Sequence, residues 1–156
     1  MVENFVADDE LLYRCVFYTT SDGSKNYKLE GSQVVVSSQA FRDISSSPSV
    51  DRAIFCSYNP TYTQKNVEDG VISLICQSVR LIDEVVQRDS KGNEEFKYKI
   101  DVFPRPLLDN EAHAQIEPTP TYRNKNIFRK LKERLAFLAN QRSWEILPWE
   151  FRQNIS

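Results

Sequence analysis

The chain has 156 residues, of which 40% are hydrophobic, 27% charged and 12% aromatic, with a formal net charge of -2. One domain of that length buries roughly 70% of the surface its unfolded form exposes, and the composition excludes overall disorder. A near-neutral balance excludes general affinity for polyanions.

In chain order, the segment from Met1 to Glu10 is acidic and reads as a short N-terminal arm without the basic and apolar regions of a signal peptide. Residues 11 to 19, Leu-Leu-Tyr-Arg-Cys-Val-Phe-Tyr-Thr, are dense in aromatic and β-branched types and stop at Asp22-Gly23, so they predict a strand. Arg14 interrupts that run, and a charge inside a buried strand needs a partner or a cleft. Residues 32 to 38 predict a second short strand, and Ile44-Ser-Ser-Ser47 a loop. Ser47 as cap and Pro48 at the first helical position predict a short helix near 48–56.

Asn59-Pro60 and Gly70 bracket a polar connection, with Tyr58 just before it and Tyr62 within it. From Val71 to Ile82 the apolar pattern fits a strand to about Cys76 followed by one helical turn. Residues 84–88 and 95–103 flank Ser90-Lys-Gly-Asn93, and the alternation of Phe96, Tyr98, Ile100 and Val102 with charges predicts a hairpin with one wet face. Ala114-Gln-Ile116 adds a short strand that Pro118-Thr-Pro120 should end. Ile127, Phe128, Leu131, Leu135 and Leu138 form an apolar helical stripe, and large side chains cluster around Pro148. The fold class expected is therefore α+β: a mostly antiparallel sheet, a short helix near 48–56 and a C-terminal amphipathic helix. Residues 11–122 would form the core, with 123–156 packed across it.

Cys15, Cys56 and Cys76 form an odd set without a C-x-x-C pair, and with one histidine in the chain they indicate neither a disulfide framework nor a metal site. Buried thiols in a reducing compartment are the expectation, and with no apolar run of membrane-spanning length the expected location is cytoplasmic, away from a membrane. Only four glycines are present, and the phosphate-cradling and nucleophile-elbow motifs are missing, so no cofactor is expected.

Candidate chemistry rests on three residues set in apolar or turn-bounded segments: Arg14, Arg52 and His113. Guanidinium offers a rigid fork for phosphate or carboxylate, and imidazole can donate or accept a proton. Ser37, Ser38, Ser47 and Ser49 add hydroxyls, and a helix start at Ser47-Pro48 would add backbone amides suited to an anion. His113 and Arg14 are the expected catalytic pair, with Arg52, Ser37, Ser38 and Ser49 holding the ligand. From Arg123 onward eight Lys or Arg face three acids, a local excess of +5 beside Tyr122, Trp144 and Trp149. That face could touch nucleic acid, though a solvated helix face is the ordinary outcome.

Leu12-Tyr-Arg14, Ser37-Ser-Gln-Ala-Phe41, Pro48-Ser-Val-Asp-Arg-Ala53 and Asn110-Glu-Ala-His-Ala-Gln-Ile116, in that order, resemble a family of small bacterial proteins of uncharacterised activity. The resemblance implies that these segments meet in space. In that pattern proline often stands where this chain has Glu111. The order of a Tyr-Arg strand, a Ser-containing strand and a later histidine is more loosely similar to the ADP-ribosyltransferase-like superfamily. That likeness implies Arg14 on a cofactor phosphate, Ser37 or Ser38 on a nucleotide and His113 near the reacting sugar, although the late-strand glutamate motif is missing. The expected function is binding or processing of a phosphate-bearing ligand, a nucleotide or nucleic-acid end, through Arg14, Arg52 and His113. The alternative is a non-catalytic module docking on a protein partner through Trp144, Trp149 and Phe151.

Overall fold

The computed structural model describes residues 5–19, 25–43, 45–121 and 125–152. The turn expected at Asp22-Gly23, the loop residue Ile44, and Tyr122 and Arg123 of the basic face lie outside them.

The centre is an antiparallel sheet in the order β5-β1-β4-β9-β8, built from β1 (Leu11–Val16), β4 (Ser49–Arg52), β5 (Gly70–Ile75), β8 (Lys99–Pro104) and β9 (His113–Thr119). Two hairpins stand beside it, β2 (Tyr27–Glu30) with β3 (Gln33–Val36), and β6 (Val86–Arg88) with β7 (Glu94–Lys97). Helix α1 (Cys76–Arg80) follows β5 directly, α2 (Lys125–Asn140) crosses the sheet, and α3 (Trp149–Arg152) closes the described chain. The class is α+β with a C-terminal helix, and the strand-to-helix change expected at Cys76 falls there.

Alternation along the strands makes two unequal faces. Leu12, Val16, Val50, Ile72, Leu74, Ile100, Val102, Ala114 and Ile116 point to one side and form the main core with Ile127, Leu131, Leu135, Ala136 and Ala139 of α2. On the other side a smaller cluster gathers Tyr13, Ala53, Cys56, Val71 and Ala112 under Leu11, Phe55 and Ile146. A cleft is left next to it.

Three local expectations change. The helix near 48–56 survives only as a 3-10 turn over Ala53–Cys56, because Ser49–Arg52 pairs with β1 and β9 as β4. Sheet pairing from both sides outweighs a Ser-Pro start signal, which is local and weak. The long hairpin strand divides at Tyr98, whose amide donates to the Val85 carbonyl, so β7 stays exposed while β8 joins the main sheet. Strand β9 also runs through Pro118. The Ile116 amide donates towards Pro48 on the β4 side, so two residues on Pro118 occupies the equivalent position beyond the start of β4, where no donor is needed.

The described part of the N-terminal segment, residues 5–10, is anchored to the sheet. Val6 is buried, and Glu10 accepts from Arg52 through both oxygens, Nε to Oε1 at 2.8 Å and Nη2 to Oε2 at 2.7 Å. Arg52 Nη2 also donates to the Phe5 carbonyl at 2.7 Å, and the Ala7 amide to Glu10 Oε2 at 2.8 Å. At the other end Val71 bridges to Ile146, and a Cβ on Gly70 would lie 2.7 Å from Trp144 Cζ3, so only glycine fits. Removing one partner of a buried ion pair costs about 3–5 kcal/mol, so Arg52→Ala should lose that much in urea denaturation, whereas a double replacement by apolar residues should recover most of it. A loss below about 1 kcal/mol for the single variant would contradict this structural role.

Candidate functional site

Strand β1 pairs with β5 along its whole length but with β4 only at Leu12↔Arg52 and Tyr13↔Asp51. Beyond Tyr13 the two strands part, and Arg14 fills the gap. Its Nε donates to the Ala40 carbonyl at 2.8 Å, Nη1 to the Ser49 carbonyl at 2.7 Å and Nη2 to the Arg42 carbonyl at 2.9 Å. Asp43 Oδ2 lies 3.9 Å from Nη1, and the Phe41 ring 5.6 Å below the guanidinium carbon. Burial pulls the Arg14 guanidinium below its ordinary pKa, with Asp43 acting in the opposite sense. Arg14 therefore ties β1 to β4 and to the 3-10 turn Ser38–Phe41.

The parting opens a cleft of about 370 Å³, in the range of small-molecule sites, whose walls include Arg14, Ser49, Asp51, Lys65, Asn110 and His113. Ser49, Asp51 and His113 share a face because β4 and β9 pair at Asp51↔His113 and Ser49↔Gln115. His113 Nδ1 lies 2.7 Å from the Arg105 carbonyl, and His113 Nε2 lies 3.2 Å from Ser49 Oγ. A carbonyl only accepts, so Nδ1 carries a proton, and in the neutral ring Nε2 then presents its lone pair to the Ser49 hydroxyl. Ser49 Oγ is also 3.3 Å from Asp43 Oδ2, which accepts the Ser49 amide at the same distance.

Neighbouring groups are committed to holding the walls. Asp51 accepts from Thr63 Oγ1 at 2.8 Å and from Asn110 Nδ2 at 2.9 Å, and Tyr62 OH donates to Asn110 Oδ1 at 2.7 Å. Cys15 also lines the cleft, but burial pushes its thiol up to about 12 and its Sγ sits 3.6 Å from Asp69 Oδ2. The Cys15 thiol is thus directed to a carboxylate. Among the described residues, no group of three or more His, Cys, Asp or Glu side chains is placed to hold a metal ion.

Of the residues singled out from sequence, Arg14, Ser49 and His113 meet in this cleft. Arg52 does not: alternation turns it away from Asp51 and into its pair with Glu10. Ser37 caps the 3-10 turn through the Gln39 amide, Ser38 begins that turn, and neither lines the cleft. Ser47-Pro48 starts no helix, so the amide cluster expected there is not formed. The sequence reading missed Arg42, Lys65 and Lys132. Arg42, Asp43, Phe128 and Lys132 line an adjoining pocket of about 300 Å³ that shares Arg42 and Asp43 with the cleft. Burial and then the Arg42 and Arg129 charges hold the Lys132 ammonium below its usual range.

A larger groove of about 750 Å³ lies between the β2–β3 hairpin and the end of α2, lined by Leu29, Val34, Trp144, Leu147 and Phe151 among others. Its lining among the described residues holds no His, Cys, Asp or Glu side chain. Trp144 Nε1 donates to the Val34 carbonyl at 2.8 Å, and Tyr27 stands edge-on to both Trp144 and Phe151. Two of the three aromatic residues expected to dock on a partner thus pack within the chain, while Trp149 is 41% exposed. No helix among the described residues is long and apolar enough to cross a membrane. Comparison with protein-family models, curated proteins and solved structures finds no significant match.

Two outcomes follow. Arg14→Ala should lose about 3 kcal/mol or more of unfolding free energy without any ligand, since three charge-assisted bonds disappear; a wild-type melting curve would contradict the tie. Burial pushes the thiols of Cys15, Cys56 and Cys76 alike up to about 12, so they should stay protonated and resist a thiol-disulfide reagent at pH 8. All three should react after denaturation. Fast labelling of the native protein would contradict that burial.

Proposed function

We propose that this chain binds a small phosphate-bearing molecule, such as a nucleotide or a nucleic-acid end, in the cleft between β1 and β4, with His113 as its proton-transfer group. The observation that carries the reading is the orientation of His113. A backbone carbonyl fixes Nδ1–H, and Nε2 is thereby presented to a hydroxyl inside a concave site.

The phosphate-facing cations in this reading are Arg42 and Lys65 in the cleft and Lys132 next to Arg42. They replace Arg14 and Arg52. Burial is the first cause of the depressed lysine and Arg42 the second, and an anion between Arg42 and Lys132 would offset that repulsion and gain charge-assisted hydrogen bonds. The ADP-ribosyltransferase-like analogy is weakened, because Arg14 spends three donors on carbonyls and Ser37 and Ser38 lie elsewhere.

A second reading, docking of a protein partner through the C-terminal tail, is favoured by the groove beside Trp144 and by the exposure of Trp149. Thermal-shift measurements with nucleotides, dinucleotides carrying a phosphodiester, and inorganic phosphate separate the two. A ligand at a hundredfold excess over Kd stabilises by about 2.7 kcal/mol, and that shift should vanish in Arg42→Gln and Lys132→Gln proteins that melt like wild type alone. No shift with any phosphate compound would remove the cleft reading and leave the docking one.

A further inference from the structure

Within the cleft, Ser49 is the hydroxyl that meets the chain's sole imidazole. Its Oγ is 3.2 Å from His113 Nε2, and His113 Nδ1 is held by the Arg105 carbonyl at 2.7 Å. Nucleophile, base and a third group that orients the base are the three parts of an activated serine. Ser49 is itself placed from both sides: its carbonyl takes Arg14 Nη1 at 2.7 Å, and its amide donates to Asp43 Oδ2 at 3.3 Å. We propose that Ser49 is a nucleophile, with His113 as its general base, that attacks the phosphorus of a phosphodiester bound in the cleft.

This inference rests on the reading of the cleft as a phosphate site. The choice of a diester follows from Asp43, whose Oδ2 lies 3.3 Å from Ser49 Oγ. A monoester dianion would bring two negative charges against that carboxylate, whereas a diester brings one and keeps Arg42 and Lys65 as its counter-charges. In the first step the Oγ–P bond forms, the Oγ proton passes to His113 Nε2, and the bond from phosphorus to the leaving oxygen breaks. The imidazolium then protonates that oxygen and an alcohol departs. In the second step His113 Nε2 takes a proton from water, the resulting hydroxide attacks phosphorus, and the P–Oγ bond breaks. Ser49 regains a proton from the imidazolium, leaving a phosphomonoester product. Water is the only co-reactant. In the resting state Asp43 Oδ2, 3.3 Å from Oγ, competes with the imidazole for the one hydroxyl proton.

A fluorophosphonate probe, which reacts by the same substitution at phosphorus, tests this on the intact chain. The expected result is one adduct, mapped by peptide mass spectrometry to Ser49, with the labelling rate falling about 100-fold or more in His113→Gln, the scale of a lost general base. Ser49→Ala should remove the adduct altogether. Hydrolysis of bis(p-nitrophenyl) phosphate should fall in the same two variants. Wild-type protein that gains no adduct on Ser49 would overturn the proposal whatever the variants do. Labelling undiminished in a folded His113→Gln protein would overturn it as well. If Ser49→Ala still gives the nucleotide thermal shift while wild type takes no label, the phosphate cleft stands and the nucleophile falls; label at Ser49 without any phosphate shift separates them the other way.

Discussion

The Arg14 guanidinium is the constraint on which the site depends. Without it, the Ser49 carbonyl and those of Ala40 and Arg42 would face a gap between diverging strands with no amide to satisfy them. The Ala40 and Ser49 bonds are partly buried and the Arg42 bond is exposed, so the first two carry most of the cost, about 1–3 kcal/mol for each buried acceptor left unsatisfied. A guanidinium suits the task because its fork reaches three acceptors at fixed angles and keeps its charge when desolvated. Lysine, a single point donor, could not span them. The separation of β1 from β4 is thus a stabilised feature of the sheet, and the cleft is its consequence.

Two arginines that look alike in sequence end in different environments. Arg52 neutralises Glu10 on the core side of β4 and anchors the chain from Phe5 to Glu10. Arg14 is held by carbonyl dipoles at the cleft wall. Both are architectural, and the other cations lining the cleft and its adjoining pocket are Arg42, Lys65 and Lys132, the last in the middle of α2. The division has a physical logic. A buried cation is expensive and must be bonded internally, as Arg14 and Arg52 are.

Elements whose stabilisation is local could be read from the sequence. The apolar stripe of α2, the aromatic run of β1 and the change from strand to helix at Cys76 each follow from spacing within a single segment. Elements decided by distant partners could not. Ser47-Pro48 is a fair helix start taken alone, but Ser49–Arg52 is claimed on one side by β1 and on the other by β9, more than sixty positions away. The same non-local register places Ser49 beside His113. Ser49 is expected from sequence as a ligand-holding hydroxyl, but its neighbour His113 is set by strand register rather than by any local signal. Arg42 follows an apolar segment and Lys132 lies on a charged helix face, and neither carries a local signal that separates it from ordinary surface charge.

Because the chain contains one histidine, its imidazole is the most direct probe of this account. A long-range proton–nitrogen NMR spectrum of uniformly labelled protein reports which ring nitrogen carries the proton. The account requires a single neutral form with Nδ1 protonated and Nε2 bare, fixed by the Arg105 carbonyl and facing Ser49. A ring protonated at Nε2, or one exchanging rapidly between both tautomers as a free side chain does, would contradict it.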